Sequence, residues 1–99
     1  MEIYIQITSD DDGTSVWWNA DGNQSYFMDG RELEAVTEWG EEYLRGTAFN
    51  SIRKAMKEAR YAKNLASYDG IVDPKVTFWR MTGGKLIKTK FTRDGKIKK

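Results

Sequence analysis

Three glycine-bearing dipeptides, Asp12-Gly13, Asp21-Gly22 and Gly83-Gly84, interrupt runs in which apolar and polar residues alternate, and they constrain the fold more than any other feature. Glycine reaches positive φ without steric cost, and Asp-Gly or Gly-Gly supplies a two-residue turn whose twist matches paired strands. Each dipeptide therefore marks a hairpin. Ile3, Ile5 and Ile7 alternate with polar neighbours ahead of the first turn. Two-residue loops at Asp12-Gly13 and Asp21-Gly22 set Ile7 across from Trp18 and Val16 across from Phe27, on one face of a three-stranded antiparallel meander. Tyr4, Trp17 and Tyr26 then share the opposite face, since successive strand residues point to alternate sides. Near the other end, Lys75 to Met81 and Lys85 to Arg93 alternate around Gly83-Gly84. Val76, Phe78, Ile87 and Phe91 take one face there, and Trp79 shares the other with Lys75, Met81, Lys88 and Lys90.

The middle of the chain reads as helical. Met28-Asp29-Gly30-Arg31-Glu32-Leu33 has Asp29 as a cap, Glu32 as its capping-box partner, and Met28 and Leu33 placed as a hydrophobic staple. Leu33, Val36, Gly40, Tyr43 and Leu44 fall on one side at helical spacing with Trp39 at the margin, and Glu34, Glu38, Glu41 and Glu42 lie opposite. Gly46-Thr47 breaks this first helix, and a second runs from Asn50 to Ser67, ended by Tyr68-Asp69-Gly70. Its inward stripe is Ile52, Ala55, Met56, Ala59, Ala62 and Ala66. Arg53, Lys54, Lys57, Arg60, Tyr61 and Asn64 point outward. The expectation is a single α+β domain over residues 1–99, ordered βββααββ, with a three-stranded antiparallel meander, two helices on one face of the sheet and a C-terminal β-hairpin. A chain of 99 residues supports one core and no second domain.

Composition narrows the chemistry. The chain has no cysteine and no histidine, which excludes disulfides, thiolate metal sites and triads built on imidazole. No secretory signal or membrane span is legible, so a cytoplasmic protein without membrane association is expected. The net charge of +1 conceals a division: residues 1–50 sum to −9 and residues 51–99 to +10. Such polarity signals either a charged partner or mutual attraction of the halves, including a homodimer in which the acidic helix of one copy meets the basic helix of another.

Three surfaces are candidate sites. Trp79 among Lys75, Lys88 and Lys90 has the composition that single-stranded nucleic acid requires, an aromatic ring for base stacking amid cations for phosphate. Packing of Trp79 beneath lysine stems explains the same residues without a ligand. Arg53, Lys57 and Arg60 recur on the second helix at spacings suited to a phosphate backbone, or simply to a solvated face. Tyr4, Trp17, Tyr26 and Trp79 form a platform for a protein partner if the helices leave that side of the sheet open, and core if they do not. Asp10-Asp11-Asp12-Gly13 fails as a calcium loop because Asn19 stands where the twelfth-position glutamate belongs, so no metal and no cofactor is expected. No phosphate-loop, dinucleotide or kinase pattern occurs, and no catalytic residue is assigned.

The opening strand, Asp-rich turn, second strand and acidic helix resemble the start of HicB-type antitoxins, which neutralise a small ribonuclease. The second half departs from that pattern, and no site residue follows from it. The expected function is a non-enzymatic binding protein that recognises and inhibits or regulates a macromolecular partner, plausibly a nucleic-acid-handling protein. By analogy of size, phage or mobile-element inhibitors of the anti-CRISPR or immunity type belong to this class. Direct binding of RNA or single-stranded DNA, through Arg53, Lys57, Arg60, Lys75, Trp79, Lys88 and Lys90, is the alternative.

Overall fold

A computed structural model describes residues 1–21, 24–30, 32–33, 35–38, 41–44 and 46–98. The strands are β1 (Glu2–Ser9), β2 (Ser15–Asp21), β3 (Gln24–Asp29), β4 (Ala35–Glu38), β5 (Glu41–Leu44), β6 (Pro74–Thr82), β7 (Lys85–Phe91) and β8 (Ile97–Lys98), with one helix, α1 (Ile52–Tyr68), between β5 and β6. Six strands form one sheet in the order β3-β2-β1-β6-β7-β8, and β4 pairs with β5 separately. The first strand is thus central, with hairpins added on either side, and every pairing is antiparallel.

The registers preserve the expected faces while shifting the expected partners. Ile7 pairs with Val16, and Trp18 with Phe27, each two residues from the pairing that two-residue loops impose. The first turn is wider than Asp12-Gly13: Ser9 N donates to Thr14 O (2.8 Å), and Gly13, at φ +75°, closes on Ser9 O (3.1 Å). The β2–β3 ladder ends at Asp21 and Gln24, so the connection falls on residues 22 and 23, outside the described residues. A slip of two keeps every side chain on its face, whereas a slip of one inverts the strand. Thr82 pairs with Lys85 as expected, with Gly83 and Gly84 at φ +56° and +77° between them.

One of the two expected helices is absent. Residues 35–44 form the β4–β5 hairpin, with Val36 opposite Tyr43 and Glu38 opposite Glu41. Asp29, the expected cap, is instead the last residue of β3 and pairs with Val16. Gly30 then redirects the chain at φ +148°, its N–H held by Ser15 O at 3.0 Å. Short apolar runs serve either periodicity, and β-branched Val36 and Thr37 favour the extended one. Glu34, Trp39 and Gly40 of the expected helix lie outside the described residues. Without that helix the described residues hold no acidic helical face, so the antitoxin-like pattern loses its last element and the helix-paired homodimer loses one of its two surfaces.

The basic helix forms as expected. Ser51, extended at φ −123°, ψ 132°, caps it by accepting from Lys54 N at 3.3 Å. Its far end closes with Ile71 N on Ala66 O (3.0 Å) around Gly70 at φ +88°. Ala55, Ala59, Ala62 and Ala66 are buried, and small side chains bring the helix axis close to the sheet. Against them pack Ile3, Ile5, Ile7, Val16 and Trp18, with Phe27, Val76, Phe78 and Phe91 at the margins.

The opposite face of the sheet is covered at its centre as well. Gly46 and Leu33, which flank the β4–β5 hairpin, lie against Trp17 and Tyr4, so close that a Cβ on Gly46 would stand 3.2 Å from Leu33 Cδ1 and 3.5 Å from either ring. Thr47 ties the same segment to β2 by donating its N–H to Trp18 O (3.2 Å) and accepting from Ala20 N (3.1 Å). β1 is consequently buried on both sides from Ile3 to Ile7.

Candidate nucleic-acid interface

Helical spacing gathers Lys54, Lys57, Glu58 and Tyr61 into one stripe of α1, and the alternation of β3 turns Ser25 to the same side of the sheet as Phe27. Between them runs an open groove of about 790 Å³, lined by Ser25, Ser51, Arg53, Lys54, Lys57, Glu58 and Tyr61. Beside it lies a stepped aromatic series: Trp18 meets Phe27 at 5.1 Å and 55°, and Tyr61 meets Trp18 edge-on at 5.7 Å and 70°. Tyr61 remains 55% exposed. Glu58, the one acid among the described residues lining the groove, accepts from Trp18 Nε1 at 3.2 Å, which orients its carboxylate toward the sheet. Among the described residues no ion-pair partner stands on Arg53, Lys54 or Lys57, and the first turn of α1 carries no acid. The aliphatic stem of Arg53 lies against Gly95, so the turn carrying Arg93 and Lys96 adjoins the helix start.

The residues singled out in the sequence divide among three places. Arg53 and Lys57 line the groove, and Arg60 is exposed on the next turn of the same helix. Tyr4 and Trp17 are core residues, 2% and 1% exposed. Trp79 is half-buried: its ring lies 6.4 Å from that of Trp17, and its Nε1 donates to Gln6 Oε1 at 2.8 Å. Tyr26 is exposed on the edge strand β3. Lys75 pairs with Asp10 at 3.1 Å, while Lys88 and Lys90 are exposed on β7. The four aromatics thus do not make one displayed platform, and the hairpin lysines surround a tryptophan whose polar edge is already used.

Lys54, Glu58, Tyr61, Ser51 and Ser25 complete the described lining of the groove and are not among the sequence candidates. Lys54 and Tyr61 carry a legible signal, since both follow the basic stripe of the helix. Ser25 carries none, because its nearness to α1 arises from the pairing of β3 at the sheet edge. The acidic residues Asp12, Asp29 and Asp69 line a separate cavity of about 330 Å³ at the other end of α1. Among the described residues no group of carboxylates is arranged to hold a metal ion, and no helix is long and apolar enough to cross a membrane. No family model, no curated protein and no solved structure matches this chain.

Proposed function

We propose that this protein is a non-enzymatic binding protein whose partner is single-stranded nucleic acid, held in the groove between α1 and β3. The observation that carries this reading is the union, in one open groove, of three cations without ion-pair partners among the described residues and an exposed tyrosine braced from beneath by Trp18. Arg53, Lys54 and Lys57 neutralise phosphates, and the ring of Tyr61 stacks on a base. Ser25 and Ser51 add hydroxyls that bond either sugar or phosphate. A cytoplasmic setting belongs to this reading, since nucleic acid is available there.

Fluorescence anisotropy with labelled RNA and DNA single strands at about 50 mM salt tests it. Saturable binding is expected, weakened by Lys57→Ala and by Tyr61→Ala, the second by about 1–3 kcal/mol of stacking. No binding to any strand at that salt overturns the proposal. A protein partner is the second reading, favoured by Tyr26 standing 38% exposed on β3, the edge strand of the sheet, where strand addition is a recurring mode of recognition. Under that reading Tyr26→Ala abolishes capture of the partner, and nuclease treatment leaves capture unchanged.

A further inference from the structure

The two faces of the sheet formed by β6, β7 and β8 are unlike. Phe78 and Thr89 pair on the face that α1 covers, and Phe91 pairs with Ile97 there. Alternation turns Lys88, paired with Trp79, and Lys90, paired with Lys98, to the opposite face. All three lysines are exposed, and among the described residues none has an ion-pair partner. Lys75 shares their face but is taken by Asp10.

Lys90 and Lys98 stand directly across from each other, about 5 Å apart at Cβ, and Lys88 follows about 7 Å along β7. Like charges so placed repel and weaken the pairing they sit on. The repulsion bears on β8, a strand of two residues, Ile97 and Lys98. A local rule broken with no compensating contact among the described residues marks a surface where a ligand supplies the compensation.

The turn ahead of β8 joins this face to the α1 groove. Gly95 lies so near the helix start that a Cβ on it would stand 3.3 Å from Arg53 Cγ. Arg93 and Lys96 flank it, both exposed, with Asp94 as the acid of the turn. β8 is itself the edge of the sheet. A cationic track therefore leaves the groove at Arg53, passes this turn and rounds the edge to Lys98, Lys90 and Lys88.

We propose that one nucleic-acid strand occupies both surfaces, running from the α1 groove past the 92–96 turn and over the β8 edge onto the lysine face. The inference rests on the reading of the groove as a strand site, and adds the course and length of the strand. The three ammonium groups hold phosphates without reading sequence. They relieve their own repulsion in doing so. A single strand follows such an edge, whereas a duplex, with a persistence length of about 50 nm, is too stiff to turn round it.

Fluorescence anisotropy with single strands of about four and about sixteen nucleotides, and with a duplex of the greater length, tests this. The longer strand should bind one-to-one and more tightly than the short one, with a steeper dependence on salt. Replacing Lys88, Lys90 and Lys98 together by alanine should reduce the longer strand's salt slope by about 2, three phosphate contacts at about 0.7 each, and leave the short strand's affinity unchanged. Lys98→Glu should weaken the longer strand while melting at the parent's temperature or above, since it turns a like pair into an opposite one, and that combination separates binding from folding. Lys57→Ala should weaken both lengths. An unchanged long-strand slope in the triple variant, or a duplex bound as tightly as the strand, overturns the shared course and leaves the groove reading standing. Long-strand binding that needs the three lysines but not Lys57 overturns the groove reading and the shared course together, as does the absence of all binding.

Discussion

Single residues in this protein often serve two neighbours at once. Trp18 packs between Phe27 and Tyr61 while its indole N–H reaches Glu58, so one side chain both fills the core and orients the acid of the basic groove. Glu58→Gln keeps an acceptor for that indole and removes a negative charge near bound phosphate, so strand affinity should rise while thermal stability changes little; anisotropy and a melting curve read the two effects. Tyr4 shows how burial reshapes a titration. Enclosure, then the hydrogen bond from its hydroxyl to Glu2 Oε2 at 3.0 Å and the charge of that carboxylate, push the phenol up to about 12. Between the ordinary value near 10 and that raised one, the unfolded chain has lost a proton that the native protein keeps, so stability is full below about pH 10 and falls as pH rises through the window. Urea unfolding of the parent and Tyr4→Phe at about pH 8 and pH 11 should therefore show a steeper alkaline loss for the parent, of order 1–2 kcal/mol in difference. Parallel losses in the two proteins would contradict this account.

Elements were legible where local chemistry decided them. The Gly83-Gly84 turn needs two consecutive positive φ values, which glycine alone adopts freely, and so the β6–β7 register could be read directly. Gly83→Val should cost about 1–2 kcal/mol through backbone strain alone, because nothing lies within 4 Å of the added Cβ. A lower urea midpoint with an unchanged slope is the expected record. The alanine stripe of α1 was equally plain, and Ala59→Leu should cost about 1–3 kcal/mol by forcing the helix off the sheet. The segment from Asp29 to Leu44 was misread because its capping signals are local and the competing interactions are not. Asp29 is taken up by pairing with Val16, and the flanks of the hairpin cover Trp17 and Tyr4, contacts invisible at the spacing of a helical turn.

Across the whole molecule, the opposed charges of the two halves are not resolved by two helices meeting. α1 contributes a cationic outer face, the acids of residues 35–44 lie in a hairpin, and Asp10 with Lys75 forms one described bridge between the halves, exposed and worth little in energy. Among the described residues Arg53, Lys54 and Lys57 carry no ion pair, and the proposed reading sets a polyanion against them. Strand affinity should fall linearly with the logarithm of salt, and Lys57→Ala should reduce that slope by about 0.7, the share of one phosphate contact on a single strand. Light scattering should return the same mass at low and high salt, because the acidic helix that a charge-paired dimer requires is absent.

The sequence by itself determined the hairpins at either end, the faces their residues occupy, the span and alanine stripe of α1, and the separation of charge. All of these follow from dihedral preferences or from periodicities of two and 3.6 residues, which act between near neighbours. Tertiary structure alone decided that β1 lies at the centre of six strands, that residues 35–44 are extended, and that Tyr4 and Trp17 are enclosed while Tyr61 is displayed. Those outcomes depend on pairings and coverings between residues far apart in the chain, such as Ile5 with Phe78 and Leu33 near Gly46, and no local pattern specifies them.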